Sequence, residues 1–198
     1  MMRLTTALAL GGLMLAAMPA SANEALDREL EAVKAECDVY AEGADKPRRY
    51  EFEETLPGND QASKFTLVEV PCWRAAYNFG NAYFLLDSYG DVERITFAQP
   101  VLDTQMSGDG EDAKLLSTRI VGFSSTRQLT NPSFDPATRT LTSSPKGRGI
   151  GDVSSSGTWV LRGARFVLLR YEDDPTYNGK EDPVTVFDAE KGIWGYNP

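Results

Sequence analysis

Histidine is absent from all 198 residues, cysteine occurs twice, and acidic residues outnumber basic ones by 29 to 20. Without histidine the chain has no Ser-His-Asp or Cys-His catalytic arrangement, no zinc site built on histidine and no histidine pH switch. A formal net charge of -9 argues against a nucleic-acid groove, which presents a basic stripe to the phosphates. The composition therefore favours a binding protein over an enzyme and predicts no cofactor.

The longest uncharged and mostly apolar run, residues 4–18, is shorter than the roughly 20 residues that a membrane-spanning helix needs. Arg3 precedes this run, and the small-residue triplet ASA follows it at residues 20–22. This order is typical of a secretory signal peptide, so residues 1–22 are predicted to be removed by cleavage after Ala22. A retained membrane anchor is the alternative. Cleavage predicts a periplasmic or secreted protein without membrane insertion, and the loss of Arg3 takes its net charge to -10.

The two cysteines, Cys37 and Cys72, both lie in the mature part of the chain. An oxidising compartment favours a disulfide between them, which stabilises a fold by about 3–4 kcal/mol for a loop of this length. Two buried free thiols are the alternative. The spacing is not the Cys-x-x-Cys of a redox-active pair, so the bridge is expected to be structural.

Apolar spacing separates the mature chain into a helical start and a long strand-rich remainder. Leu26, Leu30, Val33 and Cys37 recur at helical intervals and predict a helix over residues 23–37. A polar loop completes residues 23–64, with a short strand near residues 50–52. Strands or hairpins are predicted over residues 65–70, 82–87, 92–98, 120–123, 134–141 and 184–187.

These elements predict one compact domain in which residues 65–198 form an antiparallel β unit and residues 23–64 pack onto it. The fold class is mainly β, either a sandwich or a partly closed barrel of short strands with one N-terminal helix. About seven or eight strands are expected.

Residues 158–171 (TWVLRGARFVLLRY) predict a second hairpin with a two-residue turn at Gly163-Ala164. Trp159 would then pair with Leu168, Val160 with Val167 and Leu161 with Phe166. Both faces are apolar, which predicts a central hairpin covered on both sides. Arg162 would face Arg165, so either the loop is wider or acidic groups lie nearby.

The run SPKGRGIGD at residues 144–152 has glycine at every second position from Gly147 to Gly151. Backbone N–H groups in such a run, together with Lys146 and Arg148, suit an anion or a carboxylate ligand, and Asp152 closes the run. It lacks the spacing of a nucleotide phosphate loop. The alternative is structural: a bulged strand or tight crossover in which Arg148 is paired internally.

A second candidate run, CWRAAYN at residues 72–78, places aromatic and polar groups beside the predicted disulfide. Tyr77 and Asn78 are candidate ligand contacts in a cleft, and an aromatic flank of the core is the alternative. The acidic stretches 103–112 and 172–182 lack the spacing of an EF-hand loop, so both are predicted to be solvated loops and no metal site is predicted.

Residues 72–78 and 129–166 resemble the proteobacterial secreted proteins grouped as domain-of-unknown-function family 1176. The likeness covers about residues 68–171, and its most specific part is K-G-R-G-x-G-D followed by a Trp/Gly/Phe hairpin. The resemblance implies an exported protein without an established activity, similar to the C-terminal half of longer members. Those members usually carry a second disulfide; Val153 stands at one of its positions, and residues 177–179 contain no cysteine at the other.

The expected function is therefore that of an exported, non-enzymatic β domain that binds an envelope protein or a small anionic ligand. The alternative is a carboxylate-dependent hydrolase acting on glycan or cell wall, with an acid such as Asp152 in the reaction.

Overall fold

The structure is a computed structural model that describes residues 20–109 and 112–197, with side chains from residue 23 onward. The predicted signal peptide lies outside these residues except for residues 20–22. Within the described part of the chain, no helix is long and apolar enough to cross a membrane.

In the described residues the helices are α1 (Ala20–Val33), with 14 residues, and the single-turn α2 (Asp38–Ala41). Leu26 and Leu30 on α1 are buried. The predicted helix end at Cys37 is wrong by four residues, because the chain turns after Val33. Cys37 is bonded to Cys72, and this contact holds it at the start of α2 instead. The predicted disulfide is confirmed.

Thirteen strands follow in the described residues. They are β1 (Arg48–Thr55), β2 (Ala62–Arg74), β3 (Phe79–Asp87), β4 (Val92–Arg94), β5 (Phe97–Ser107), β6 (Lys114–Thr126), β7 (Gln128–Thr130), β8 (Ser133–Asp135), β9 (Thr140–Ser143), β10 (Ser154–Arg162), β11 (Arg165–Asp174), β12 (Val184–Asp188) and β13 (Ile193–Trp194). All strand pairings are antiparallel, and the sheets do not close into a barrel. The sandwich prediction is therefore confirmed.

The strands form two large sheets and one separate hairpin. The first sheet has the order β1-β2-β3-β4, with β7 also paired to β3, and the second has the order β13-β12-β11-β10-β9-β8. The separate hairpin is β5-β6. Helix α1 packs on one face of the first sheet and the second sheet packs on the other, which gives three layers.

Two buried clusters fill the spaces between the layers, and both contain side chains of β2 and β3. The cluster between the sheets is Phe65, Leu67, Tyr83, Leu85, Ile95, Phe97, Leu129, Leu141, Trp159, Leu161, Phe166, Leu168 and Phe187. The cluster under α1 is Leu26, Leu30, Val33, Cys37, Val68, Val70, Cys72, Ala82, Phe84 and Leu86. Side chains alternate between the faces of a strand, so β2 supplies one row to each cluster.

The predicted β10-β11 hairpin is confirmed in register, with Trp159 opposite Leu168 and a two-residue turn at Gly163-Ala164. Both turn residues have positive φ, 57° and 60°, as a type I′ turn requires. The carboxylate of Glu54 accepts the N–H of Gly163 at 2.6 Å, so an acidic group does lie beside the turn. The prediction that both faces are covered is wrong, because Val167 on the outer face is 45% exposed.

The acidic stretch 103–112, predicted to be a loop, belongs largely to the β5-β6 hairpin. Strand β5 continues to Ser107, and Asp103 forms an ion pair of 2.7 Å with Arg119 on β6. Polar side chains fit this hairpin because much of it is exposed on its outer side. The predicted strand 92–98 is likewise divided into β4 and the start of β5.

One half-buried acid, Asp173, predicts how the free energy of unfolding depends on pH. Burial raises the pKa of Asp173 to about 6, and the neighbouring Asp174 carboxylate adds to the shift. Because this pKa is higher than that of the unfolded chain, the stabilising effect of the bound proton is complete below about pH 4 and is lost as the pH rises through about 6. Asp173→Asn is expected to raise the free energy of unfolding by about 1–3 kcal/mol more at pH about 8 than at pH about 4, measured by urea denaturation.

The matched control is Asp135→Asn. A hydrogen bond from Thr138 lowers the pKa of Asp135, so its carboxylate stabilises the fold at neutral pH and the substitution should act in the opposite direction. Equal effects of Asp173→Asn at both pH values would contradict the assignment.

Candidate functional site

A pocket of about 650 Å³ opens where β1 stops pairing with β2. The last pair is Arg48 opposite Glu69, whereas β2 continues to Arg74 with no strand of the described residues paired to it on that side. Pro71 lies in this unpaired part, where its missing N–H costs no sheet hydrogen bond. The pocket is lined by Asp45, Lys46, Arg48, Glu69, Pro71, Trp73, Arg74, Ala75, Ala76, Tyr77, Asn78, Phe79 and Asn81.

Glu69 lies at the base of the pocket and is only 3% exposed. It continues the inward row of β2 that contains Phe65 and Leu67, so its carboxylate enters the end of the core between the sheets. The Tyr50 hydroxyl donates to it at 2.9 Å, the Tyr83 hydroxyl at 3.3 Å, and the Asn81 amide also donates. Such donors compensate the cost of burying a carboxylate.

The two tyrosines respond to this environment. Burial, and then the Glu69 carboxylate, raise the pKa of Tyr50 and the pKa of Tyr83 above the usual value for tyrosine. Both hydroxyls therefore stay protonated at physiological pH and remain donors to Glu69.

Positive charge exceeds negative charge around the pocket. Arg48 approaches Glu69, with Nε at 3.4 Å from Oε2 and Nη2 at 3.5 Å from Oε1, but its side chain is 67% exposed. Arg74 forms an ion pair with Asp45. Lys46 makes no ion pair with the described residues. The lining therefore has three cations against two carboxylates, in a chain whose net charge is -9.

Aromatic rings form the other part of the lining. The indole of Trp73 lies on the backbone at Gly80, where an added Cβ would be 2.1 Å from Nε1. Nε1 also donates to Gln128 Oε1 at 3.0 Å, which fixes the ring. Tyr77 and Phe79 are 45% and 40% exposed. The site thus combines fixed rings with cations and amides.

The structure brings the two candidate runs together. The Tyr77 hydroxyl donates to the carbonyl of Gly147 at 3.1 Å. Asn78 forms a reciprocal pair with Lys146: its Nδ2 donates to the Lys146 carbonyl at 2.8 Å, and its Oδ1 accepts the Lys146 N–H at 3.1 Å. Tyr77 and Asn78 line the pocket. Lys146 does not line it, but its main chain holds Asn78 in place through these two hydrogen bonds.

Arg148 and Asp152 form an ion pair inside the glycine-rich run. Asp152 is fully buried, and its Oδ2 also accepts the N–H of Gly179 at 2.9 Å. The Arg148 guanidinium lies 5.0 Å from the centre of the Tyr177 ring. The structural interpretation of the glycine-rich run requires this internal pairing of Arg148. Neither Arg148 nor Asp152 lines the pocket. Ligand binding by Lys146, Arg148 and Asp152 stays a prediction.

Two glycines of the run are required by their surroundings. A Cβ at Gly147 would lie 2.8 Å from Val153 Cγ1. Gly151 has a φ of 83°, and a Cβ there would lie 2.6 Å from a carboxylate oxygen of Glu181. The glycine spacing therefore follows from close approach and left-handed backbone.

The acidic stretch 172–182 is held by hydrogen bonds of its own. Asp174 Oδ1 accepts the Thr176 N–H at 3.1 Å, and Oδ2 accepts the Asp182 N–H at 2.9 Å. In residues 20–109 and 112–197, no group of three or more acidic or cysteine side chains is placed to hold a metal ion.

Sequence reasoning missed Glu69 and the cations opposite it. The available signal was an acid inside FTLVEV, a strand apolar in both alternating rows. A charge in such a strand must meet buried donors, and such a charge indicates a functional or structural site.

Asn131 connects the turn after β2, which lines the pocket, to the start of the glycine-rich run. Its Oδ1 accepts the Phe79 N–H at 2.9 Å, and its Nδ2 donates to Asn78 Oδ1 at 2.8 Å and to the Ser144 carbonyl at 3.0 Å. Its φ is 47°, a conformation that glycine adopts freely. Asn131→Gly keeps the backbone and removes the bonds, so it should lower the free energy of unfolding by about 1–3 kcal/mol in urea denaturation.

Ala164→Gly is the matched control, since Ala164 also has a positive φ, 60°, and its side chain makes no hydrogen bond. It should be neutral or stabilising. A similar loss in both variants would show that the side-chain bonds of Asn131 contribute nothing.

A family model described as "Protein of unknown function (DUF1176)" matches residues 13–185. The uncharacterized protein YpfG of Escherichia coli (strain K12) is 36% identical over 148 residues, which cover 75% of this chain and 36% of that protein. This chain therefore spans about a third of the length of that curated relative. No solved structure matches. The resemblance inferred from residues 68–171 is confirmed: the chain belongs to the DUF1176 family of proteins of unknown function.

Proposed function

We propose that this protein is an exported, non-enzymatic binding protein of the cell envelope, and that it holds a small anionic ligand in the pocket beside β2. The observation that carries the proposal is the excess of positive charge in the pocket lining of a strongly acidic chain. Ligand pockets of about 300–1,000 Å³ are typical for small molecules, and this one has about 650 Å³.

Lys46 and Arg48 supply the anion contacts in this proposal. Arg48 directs part of its guanidinium at Glu69 and keeps most of its side chain exposed, so N–H donors remain for a ligand. Tyr77 and Asn78 form the adjoining wall, and the loop of residues 146–152 holds that wall in place.

Export is supported by the leader-like pattern of residues 1–22 and by the Cys37–Cys72 disulfide, because disulfides persist in oxidising compartments.

The hydrolase alternative requires a free carboxylate facing the ligand. Glu69 accepts hydrogen bonds from two tyrosines and an asparagine and is approached by Arg48, which occupies its lone pairs. Asp45 is engaged by Arg74, and Asp152 is enclosed by its own loop. These contacts favour structural roles for the three acids.

Anion binding is tested by titrating phosphate, sulfate and acetate into the mature chain and following the backbone amide NMR signals of the pocket. We expect saturable shifts, weakened about tenfold by Lys46→Ala, because a charge-assisted contact is lost. Binding should also weaken as NaCl is added.

Arg49→Ala is the matched control: it removes the same charge one residue from Arg48, at an exposed position outside the pocket lining. Absence of any saturable shift, or equal effects of Lys46→Ala and Arg49→Ala, would refute the proposal.

Export is tested by expressing residues 1–198 in a Gram-negative host and measuring the intact mass of the periplasmic fraction. The expected product begins at Asn23 and carries no thiol that reacts with iodoacetamide before reduction. A full-length product in the membrane fraction would support the anchor alternative instead.

A further inference from the structure

The pocket lining has three kinds of surface that follow one another along β2. Arg48 and Glu69 mark one end, and the pair Arg74 opposite Phe79 marks the other. Because β2 is bulged between Pro71 and Trp73, the span is best counted along β3, where Tyr83 opposite Glu69 and Phe79 opposite Arg74 are four steps apart, about 13 Å at 3.3 Å per residue. The pocket is therefore a trough that suits a ligand longer than one small ion.

The end at Arg48 suits a carboxylate. A guanidinium presents a planar fork of N–H donors that matches the two oxygens of a carboxylate. Glu69 contacts one edge of the guanidinium, through Nε at 3.4 Å and Nη2 at 3.5 Å, and the rest of the fork is exposed to the pocket side. Lys46, two residues before Arg48 and next to Asp45, adds a second cation to the same lining.

The other end suits the apolar face of a ring. The half-exposed rings of Tyr77 and Phe79 line it, whereas the indole of Trp73 lies on Gly80 and packs against the cluster under α1. The Tyr77 hydroxyl is tied to the Gly147 carbonyl, so this ring is also held in position. Fixed rings bind a flat apolar surface at little cost in side-chain entropy.

Amide and carboxylate groups lie between and beside the rings. Asn78 and Asn81 have side chains in the lining, and Asp45 adds carboxylate oxygens that can accept hydroxyl protons. Sugar rings have an apolar C–H face and a rim of hydroxyl groups, so they match rings alternating with polar side chains. Asn78 and Asn81 are already bonded to Lys146 and Glu69, and Asp45 is paired with Arg74. The Asp45 carboxylate keeps lone pairs that can accept the hydroxyl protons of a sugar, and a purely aromatic acid has no such protons to donate.

An extended peptide is a poorer match for the unpaired edge of β2. A peptide that binds as an added strand needs main-chain N–H donors along the edge. Pro71 stands in the middle of the unpaired segment and has no N–H. The edge therefore resists strand addition, and recognition falls to the side chains.

We infer that the pocket binds a short acidic glycan, in which a ring-borne carboxylate contacts Arg48 and Lys46 and a neighbouring sugar ring lies on Tyr77 and Phe79. This rests on the proposed function and specifies its ligand class. Two sources share this chemistry: uronic acid units of polysaccharides and the lactyl carboxylate of cell-wall glycan strands.

The test is isothermal titration of the mature chain with four probes. Digalacturonic acid and the disaccharide N-acetylglucosaminyl-N-acetylmuramic acid represent the two sources. N,N′-diacetylchitobiose is the neutral match, and phenylacetate is the aromatic acid. We expect at least one acidic disaccharide to bind about tenfold or more tighter than chitobiose and phenylacetate, which corresponds to the loss of one charged or ring contact.

Variants then locate the ring contact. Phe79→Ala should weaken binding of the acidic disaccharide about tenfold, since a stacked ring is lost. Tyr89→Ala is the matched control, because Tyr89 is an aromatic residue 81% exposed and outside this pocket. Thermal midpoints of all variants show whether each is folded; should Phe79→Ala fail to fold, Phe79→Leu replaces it.

The outcomes separate the two proposals. If phosphate, sulfate, acetate and phenylacetate bind as tightly as the acidic disaccharides, the glycan assignment is overturned while anion binding stands. Equal binding of chitobiose, or equal affinities of Phe79→Ala and Tyr89→Ala, also overturns it. If no probe binds, both proposals fail. Preference for one acidic disaccharide identifies the source.

Discussion

Strand β2 is buried on both faces, and the positions of α1, the second sheet and the pocket follow from that constraint. Every residue from Phe65 to Val70 is buried. One alternating row meets α1 and the other meets the second sheet, so the strand needs a cover on each side. The Cys37–Cys72 bond ties the segment after α1 to β2, which keeps the first cover in place. Where β1 ends, β2 loses a lateral neighbour and the pocket begins.

Glu69 sits at this boundary, and its burial fixes the geometry of the pocket base. An uncompensated buried carboxylate costs several kcal/mol, so it is tolerated only with well-placed donors. Here the donors come from β1 and β3: Tyr50, Tyr83 and Asn81, with Arg48 closing the set from the solvent side. Their positions are therefore coupled, because moving any one of these donors removes a hydrogen bond from the buried Glu69 carboxylate. A rigid base holds the guanidinium at a defined angle to the open trough.

Local chemistry was enough to predict some parts of this structure. The Gly163-Ala164 turn fixes the register of its hairpin, and export with two cysteines predicts the disulfide. The pocket could not be predicted in the same way, because its groups come from separated segments. Tyr50 and Asn81 lie 19 and 12 residues from Glu69, and alternation alone does not show which donors a buried acid will meet. The predicted strands 92–98 and 120–123 overlap β5 and β6, but most of this hairpin was missed. Its apolar core contacts are confined to residues such as Phe97 and Ile120, and the rest is polar and held by pairing between the two strands.

The glycine-rich run has a structural place in this fold, whether or not it also binds a ligand. Its first part pairs with Asn78, while Arg148 and Asp152 close the loop and bind it to the turn at Gly179. A turn such as 75–78, which joins two strands at an open edge, has few apolar contacts of its own to order it. Reciprocal hydrogen bonds from a loop that is itself closed by a buried ion pair supply that order. The Lys146 N–H donates to Asn78 in the pocket wall, while the N–H groups of Gly147 and Gly151 bond to carbonyls of Val153 and Arg148 within the loop. These three main-chain donors are therefore used in ordering the wall and the loop, and an anion would have to compete for them.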